Sequence, residues 1–174
     1  MSRFVVAVRN GDSATVKKML AEGSASIDEK DHGHTALLIS AAYGRNHALT
    51  EWLLGDGGAS ITEEGPGGNV WNMLFNSFYH ATFQDAPLLS LLKVMTLLDD
   101  GPANVTSMLP AESVCAQIIA QGKQLRTRRP PYMEQQRALL ASDCPLSAVL
   151  LPLVAAYAEP THEDMWTDWL GWRY

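Results

Sequence analysis

Cysteine is scarce. The chain has two, Cys115 and Cys144, with no CxxC pair and no Cys/His quartet, so neither a disulfide framework nor a structural zinc site is suggested. Long apolar runs are missing as well. The most apolar stretch, Cys144 to Ala158, is interrupted by Pro145 and Pro152 and is too short to cross a bilayer as a helix. The apolar run Phe4 to Val8 is too short for a signal-peptide core and lacks a cleavage pattern. Positive charge is in deficit: 13 Lys and Arg stand against 19 Asp and Glu, for a net charge of −6. That balance argues against non-specific nucleic-acid binding, which needs a cationic face to displace counterions from phosphates. These absences lead us to expect a cytoplasmic or nuclear protein with no membrane insertion.

The composition that remains is globular. Hydrophobic residues make up 47% and charged residues 18% of 174 residues, too apolar for an intrinsically disordered chain. A chain of this length buries roughly two thirds of its unfolded surface without a staple.

One ending occurs three times. Val16 to Ile27, Leu49 to Ile61 and Lys93 to Val105 each read as an apolar helix closed by Gly, followed by Ala, a variable residue and a β-branched one. Gly23, Gly57 and Gly101 are expected in the left-handed conformation that closes a helix, with the triplet behind them sending the chain out extended. Gly23 and Gly57 lie 34 residues apart and Gly57 and Gly101 lie 44 apart. Ahead of the second ending stands Gly33-His34-Thr35-Ala36-Leu37-Leu38-Ile39-Ser40-Ala41-Ala42-Tyr43-Gly44. This segment resembles the ankyrin signature G-x-T-P-L-H-x-A-A-x-x-G, and the shorter spacing is about one ankyrin unit.

The resemblance covers about residues 4 to 106 and implies an all-α fold: an ankyrin-repeat solenoid of helix-turn-helix units with short hairpin fingers. Ala36 stands where Pro is usual and Leu38 where His is usual, so the polar link this His makes between repeats is absent. The third unit is degenerate, with Trp71 at the usual Leu position and an inserted loop from Phe78 to Pro87. Residues 107–174 are expected to form a helical cap covering the apolar end of the stack, in one continuous domain with residues 1–106. Within that cap, Pro130-Pro131 is expected to separate two helices, Pro145 to open a third, and Thr161 to N-cap a last one.

Ankyrin domains bind other proteins through finger tips and exposed positions of each first helix. Carried onto this sequence, the rule gives Arg9, Asn10, Lys30, Asp31, His32, His34, Ala42 and Tyr43 as partner-binding candidates, against the alternative that each is ordinary solvated surface. His32 and His34 flank Gly33 beside Asp31, but in the ankyrin pattern this turn is structural, and no metal is expected. Two further surfaces compete. Lys123, Arg126, Arg128, Arg129 and Arg137 face the single acid Glu134, a local inversion of charge that suits an acidic partner segment or a phosphate. The bland explanation is that Arg126, Arg128 and Arg129 favour the carbonyl end of a helix. In the tail, Met165, Trp169 and Trp172 recur at i, i+4 and i+7 beside Trp166, an amphipathic stripe that either packs as a final cap or serves as a docking helix.

No Gly-rich phosphate loop, nucleophile elbow or helix-borne carboxylate pair with a neighbouring base is present. The expectation is a non-enzymatic protein-binding adaptor, scaffold or inhibitor without a cofactor. The alternative is a constitutive subunit of a larger assembly that docks through the Trp-rich tail or the 78–87 insertion.

Overall fold

A computed structural model describes residues 1–43, 46–75 and 86–143, without the side chains of Tyr43, Thr106 and residues 129–143. The described chain is mostly helical. In order it forms α1 (Arg3–Arg9), α2 (Ser13–Ala21), α3 (Ala36–Tyr43), α4 (His47–Leu54), β1 (Glu64–Gly65), β2 (Gly68–Asn69), α5 (Val70–Phe75), α6 (Ala86–Leu98), α7 (Ala103–Met108) and α8 (Val114–Asp143). Chain contacts divide it into two compact units, Met1–Ile119 and Ala120–Tyr174. Among the described residues no helix is long and apolar enough to cross a membrane.

The first unit is built from helix pairs. Three of its helices open on a polar N-cap: Ser2 accepts from Val5 N–H ahead of α1, Asp12 from Thr15 N–H ahead of α2, and Asn46 from Leu49 N–H ahead of α4. These caps satisfy amide groups that a short helix leaves without intrahelical partners. Burial then orders the pairs. Helix α1 packs on α3, α3 on α5 and α5 on α7, while α4 packs on both α3 and α6. Helix α3 is buried from Ala36 to Ala41, and α6 from Leu91 to Leu97, so both are surrounded by protein. The core centres on Leu37, Leu38, Leu49, Leu53, Trp71, Leu88, Leu92 and Met95. Inside it, Ser40 Oγ and Thr50 Oγ1 lie 3.0 Å apart, with Leu37 O and Asn46 O also within reach, and the two hydroxyl protons are shared among these three contacts. Two buried hydroxyls are thereby satisfied where α3 meets α4.

The segments joining the pairs repeat in detail. In the first, Asp28 N–H donates to Ser26 Oγ at 3.3 Å and Glu29 N–H to Ser26 O at 3.1 Å. In the second, Thr62 N–H donates to Ser60 Oγ at 3.3 Å and Glu63 N–H to Ser60 O at 3.1 Å. Ala25 N–H reaches back to Met19 O, and Ala59 N–H to Leu53 O. Every bond in the second set lies 34 residues after its counterpart, as Asn46 lies after Asp12.

Two of the three endings differ from the expectation. Gly23 (φ +66) and Gly101 (φ +67) are left-handed, but in the second ending the left-handed residue is Gly58 (φ +74) rather than Gly57. A Cβ at Gly57 would lie 2.8 Å from Leu53 Cα and 3.0 Å from Leu53 O. Gly57 therefore serves close approach to α4, and the turn of hand falls one residue later. After Gly101 the chain does not extend: Pro102 is the N-cap of α7. Proline has no N–H to donate back to the preceding helix, whereas Ser24 at the corresponding place bonds Met19 O at 3.0 Å, and its fixed φ suits a helix start.

The proline pair Pro130-Pro131 does not separate two helices. Helix α8 runs through it for 30 residues. The ring's φ is helical, and the cost is confined to two missing N–H donors and local crowding. Strong helix formers on both sides, including Gln121, Lys123, Gln124 and Leu125 before it and Met133 to Leu140 after it, offset that cost. Of the expected insertion, Ala86 and Pro87 belong to the first turn of α6, where proline is tolerated; Phe78 to Asp85 lie outside the described residues.

Candidate interaction surface

Two finger tips are adjacent, and the first is tied to the last residue of α1. The first is a two-residue hairpin: Asp31 N–H donates to His34 O at 2.9 Å and His34 N–H to Asp31 O at 3.0 Å. Its central residues, His32 (φ +50) and Gly33 (φ +84), are both left-handed, as a type I′ turn demands. Histidine is among the few side chains that tolerate this conformation. The second finger pairs β1 with β2 antiparallel, Glu64 opposite Asn69 and Gly65 opposite Gly68, with Pro66 and Gly67 at the tip.

The fingers lie side by side. A Cβ at Gly33 would sit 3.1 Å from Pro66 Cγ and Cδ, and one at Gly65 would sit 2.9 Å from Leu38 Cδ1 and 3.2 Å from Gly33 O. Glycine at both places lets the two turns touch. A second link ties them at the base: Thr35 donates its hydroxyl to Glu63 Oε2, while Glu63 Oε1 accepts from Ser60 N–H at 2.9 Å.

Arg9, the last residue of α1, reaches the first finger and pairs with Asp31 at 2.9 Å, with side chains 34% and 14% exposed. Asp31 is thereby held half-buried and neutralised, and His32 Nε2 stands 3.9 Å from its other oxygen on a side chain 85% exposed. Asn10 is exposed as the C-cap of α1. Lys30 is exposed and His34 is half-buried. From α3, Ala42 alone among the residues with described side chains is exposed, and the side chain of Tyr43 lies outside the described residues. The structure thus gathers Arg9, Asn10, Lys30, Asp31, His32 and His34 into one region, and the second helix pair adds little to it. Among the described residues no group of three or more His, Cys, Asp or Glu side chains is placed to hold a metal ion.

Several contributors were not singled out from sequence. Val6, 41% exposed on α1, lies within one helical turn of Arg9 and Asn10 on the same side. Asn46 caps α4 and also donates through Nδ2 to Gly11 O at 2.8 Å, linking the second helix pair to the first. Its position 34 residues after Asp12 is the signal that would have found it. Glu63 and Pro66 carried no such signal, because their roles arise between fingers. Of the secondary candidates, Arg126 is half-buried and Arg128 exposed on α8; the side chain of Arg129, and Trp166, Trp169 and Trp172 altogether, lie outside the described residues.

Comparison with protein-family models, with curated proteins and with solved structures finds no match for the chain.

Proposed function

We propose that this chain is a non-enzymatic interaction module of ankyrin-type repeats that holds another protein against its finger tips and the exposed side of α1. The observation that carries the reading is the recurrence, 34 residues on, of a set of turn and cap hydrogen bonds, a spacing of about one ankyrin unit. It is supported by the geometry of the tips. Two abutting turns, a salt-bridged Arg9–Asp31 pair and a His32 held in a sparsely populated backbone conformation present polar groups whose positions are set before a partner arrives. Binding to such a surface loses little ordering entropy.

The test is co-purification with the tagged full chain from its source cell, the retained proteins being identified by mass spectrometry. The matched variant is Lys30→Ala with His32→Gly, in which glycine relaxes the left-handed backbone so that loss of binding reports contact and not misfolding. The expected result is loss of a specific partner with an unchanged melting temperature. Retention of the same partners at the same yield overturns the finger-tip reading.

A further inference from the structure

Asn10 precedes Gly11, and no other asparagine in the chain precedes a glycine: Asn46, Asn69, Asn72, Asn76 and Asn104 stand before His, Val, Met, Ser and Val. The pairing has a chemical consequence. A backbone nitrogen can attack the side-chain carbonyl carbon of the asparagine before it, and a Cβ on the attacking residue hinders that approach, so glycine is the most permissive neighbour. The fold leaves no choice of residue here. Gly11 has φ +69, and a Cβ on it would lie 2.7 Å from Asn46 Nδ2. The turn that demands glycine thereby makes Asn10 the most labile amide of the chain.

The same turn keeps the reacting atoms apart. Asn10 is exposed, but as the C-cap of α1 it has ψ −6. That angle eclipses Gly11 N with the nitrogen of Asn10 itself, a third of a turn about the Cα–C bond from Cβ, whereas ring closure needs Gly11 N on the Cβ side. Gly11 N–H is engaged as well, donating to Val8 O at 3.0 Å. Beyond it, Gly11 O accepts from Asn46 Nδ2 at 2.8 Å and Asp12 N–H donates to Ala7 O at 2.9 Å. The peptide between Asn10 and Gly11 cannot rotate while these bonds hold.

We propose that Asn10 is a self-modification site whose conversion is gated by opening of the α1–α2 turn. In the opened turn Gly11 N gives its proton to solvent and bonds Asn10 Cγ; the amide nitrogen takes a proton from solvent and leaves as ammonia, and a five-membered succinimide remains. Water opens that ring at either carbonyl, to aspartate or to isoaspartate, and no oxidant, reductant or cofactor is consumed. Either product puts a carboxylate next to Arg9, where it competes with Asp31 for the guanidinium and faces the carbonyl end of α1, which disfavours negative charge. Isoaspartate also lengthens the backbone of the turn by one carbon. Modification thus loosens the tie between α1 and the first finger, whether or not a partner binds there.

The experiment is incubation of the full chain in mildly alkaline buffer, with and without urea, followed by peptide mass spectrometry that tracks conversion of each asparagine and separates the two products by retention. In urea, Asn10 should convert faster than any other asparagine. In the folded chain its conversion should be slower than in urea by about tenfold or more, because only the opened turn reacts. Asn46→Asp keeps an acceptor for Leu49 N–H but loses the donor to Gly11 O, and should speed conversion in the folded chain about threefold while leaving the rate in urea unchanged. Should that variant lose helicity by circular dichroism, Asn46→Ser, which also caps a helix, replaces it with the same expectation. The proposal is overturned by equal rates with and without urea, by faster conversion of another asparagine in urea, or by an Asn46 variant that converts no faster than the parent when folded.

Discussion

After Gly23 and after Gly58 the chain leaves its helix and builds a finger, whereas after Gly101 it turns directly into α7. All three glycines are left-handed and all three are followed by similar residues. The difference lies in the donors behind them. In the first two endings the amides of Ala25 and Ala59 close back on the preceding helix, and Ser26 and Ser60 then fold the chain over their hydroxyls. In the third, Pro102 stands at the place of Ser24, whose amide bonds Met19 O, and has no hydrogen to give, and Asn104 stands where Ser26 and Ser60 do. A glycine stops a helix, but what happens next depends on which neighbour can donate a hydrogen bond.

The largest effect that would sharpen this comparison is at the glycines. Gly57→Ala forces a Cβ against the backbone of Leu53 and should cost about 2–3 kcal/mol in denaturant unfolding. Gly23→Ala meets open space and should cost only the left-handed strain, about 1 kcal/mol. Equal losses would break the distinction between close approach and conformation. Next is the finger base. Glu63→Gln weakens acceptance from both Thr35 and Ser60 and should cost about 1–2 kcal/mol, while Glu29→Gln, whose side chain has no such bonds among those described, should stay within about 0.5 kcal/mol. Smaller again, Ser26→Ala should cost about 0.5 kcal/mol and Ser60→Ala about 1 kcal/mol, because Ser60 Oγ also bonds Thr62 Oγ1 at 2.8 Å whereas Ser26 Oγ accepts only from Asp28 N–H; equal losses would show that the hydroxyl pair adds nothing to the second turn.

The smallest effect concerns acid. Asp12 and Asn46 hold the same cap position, but only Asp12 titrates. Hydrogen bonds from Thr15, side chain first and backbone second, hold the Asp12 carboxyl below the usual carboxylate range. A depressed folded pKa means that its contribution is present above the unfolded value of about 3.9 and is lost as pH falls through the folded value. Asp12→Asn should therefore flatten the slope of melting temperature against pH below about pH 4 and leave it unchanged at neutral pH. A slope unaltered by that substitution would mean that the Asp12 cap adds nothing Asn46 does not.

Much of the first unit was legible in the chain. The apolar helices ending at Gly23 and beginning near Leu49, and the glycine at the close of α2, act within a few residues of their own positions. What was not legible depends on atoms distant in sequence or on competition between neighbours. The left-handed step moved from Gly57 to Gly58 because Leu53 occupies the space a Cβ would need. The exposed share of α3 shrank to Ala42 because α1, α4 and α5 surround it. The proline pair, read as a break, sits inside α8 because helix formers on both sides outweigh two missing bonds. Of the candidate interaction surface, the finger residues Lys30, Asp31, His32 and His34 came from the ankyrin resemblance. The contacts of Pro66 and Glu63 exist only once two fingers are side by side.

The amide of Asn46 has a consequence for how this unit comes apart. Its oxygen starts α4 while its nitrogen holds Gly11 O, so the second helix pair keeps its cap fully formed only while the turn of the first is in place. Fraying at one pair is felt by the next, and the unit should lose structure in a single transition with amide exchange rates in α2 and α4 rising together.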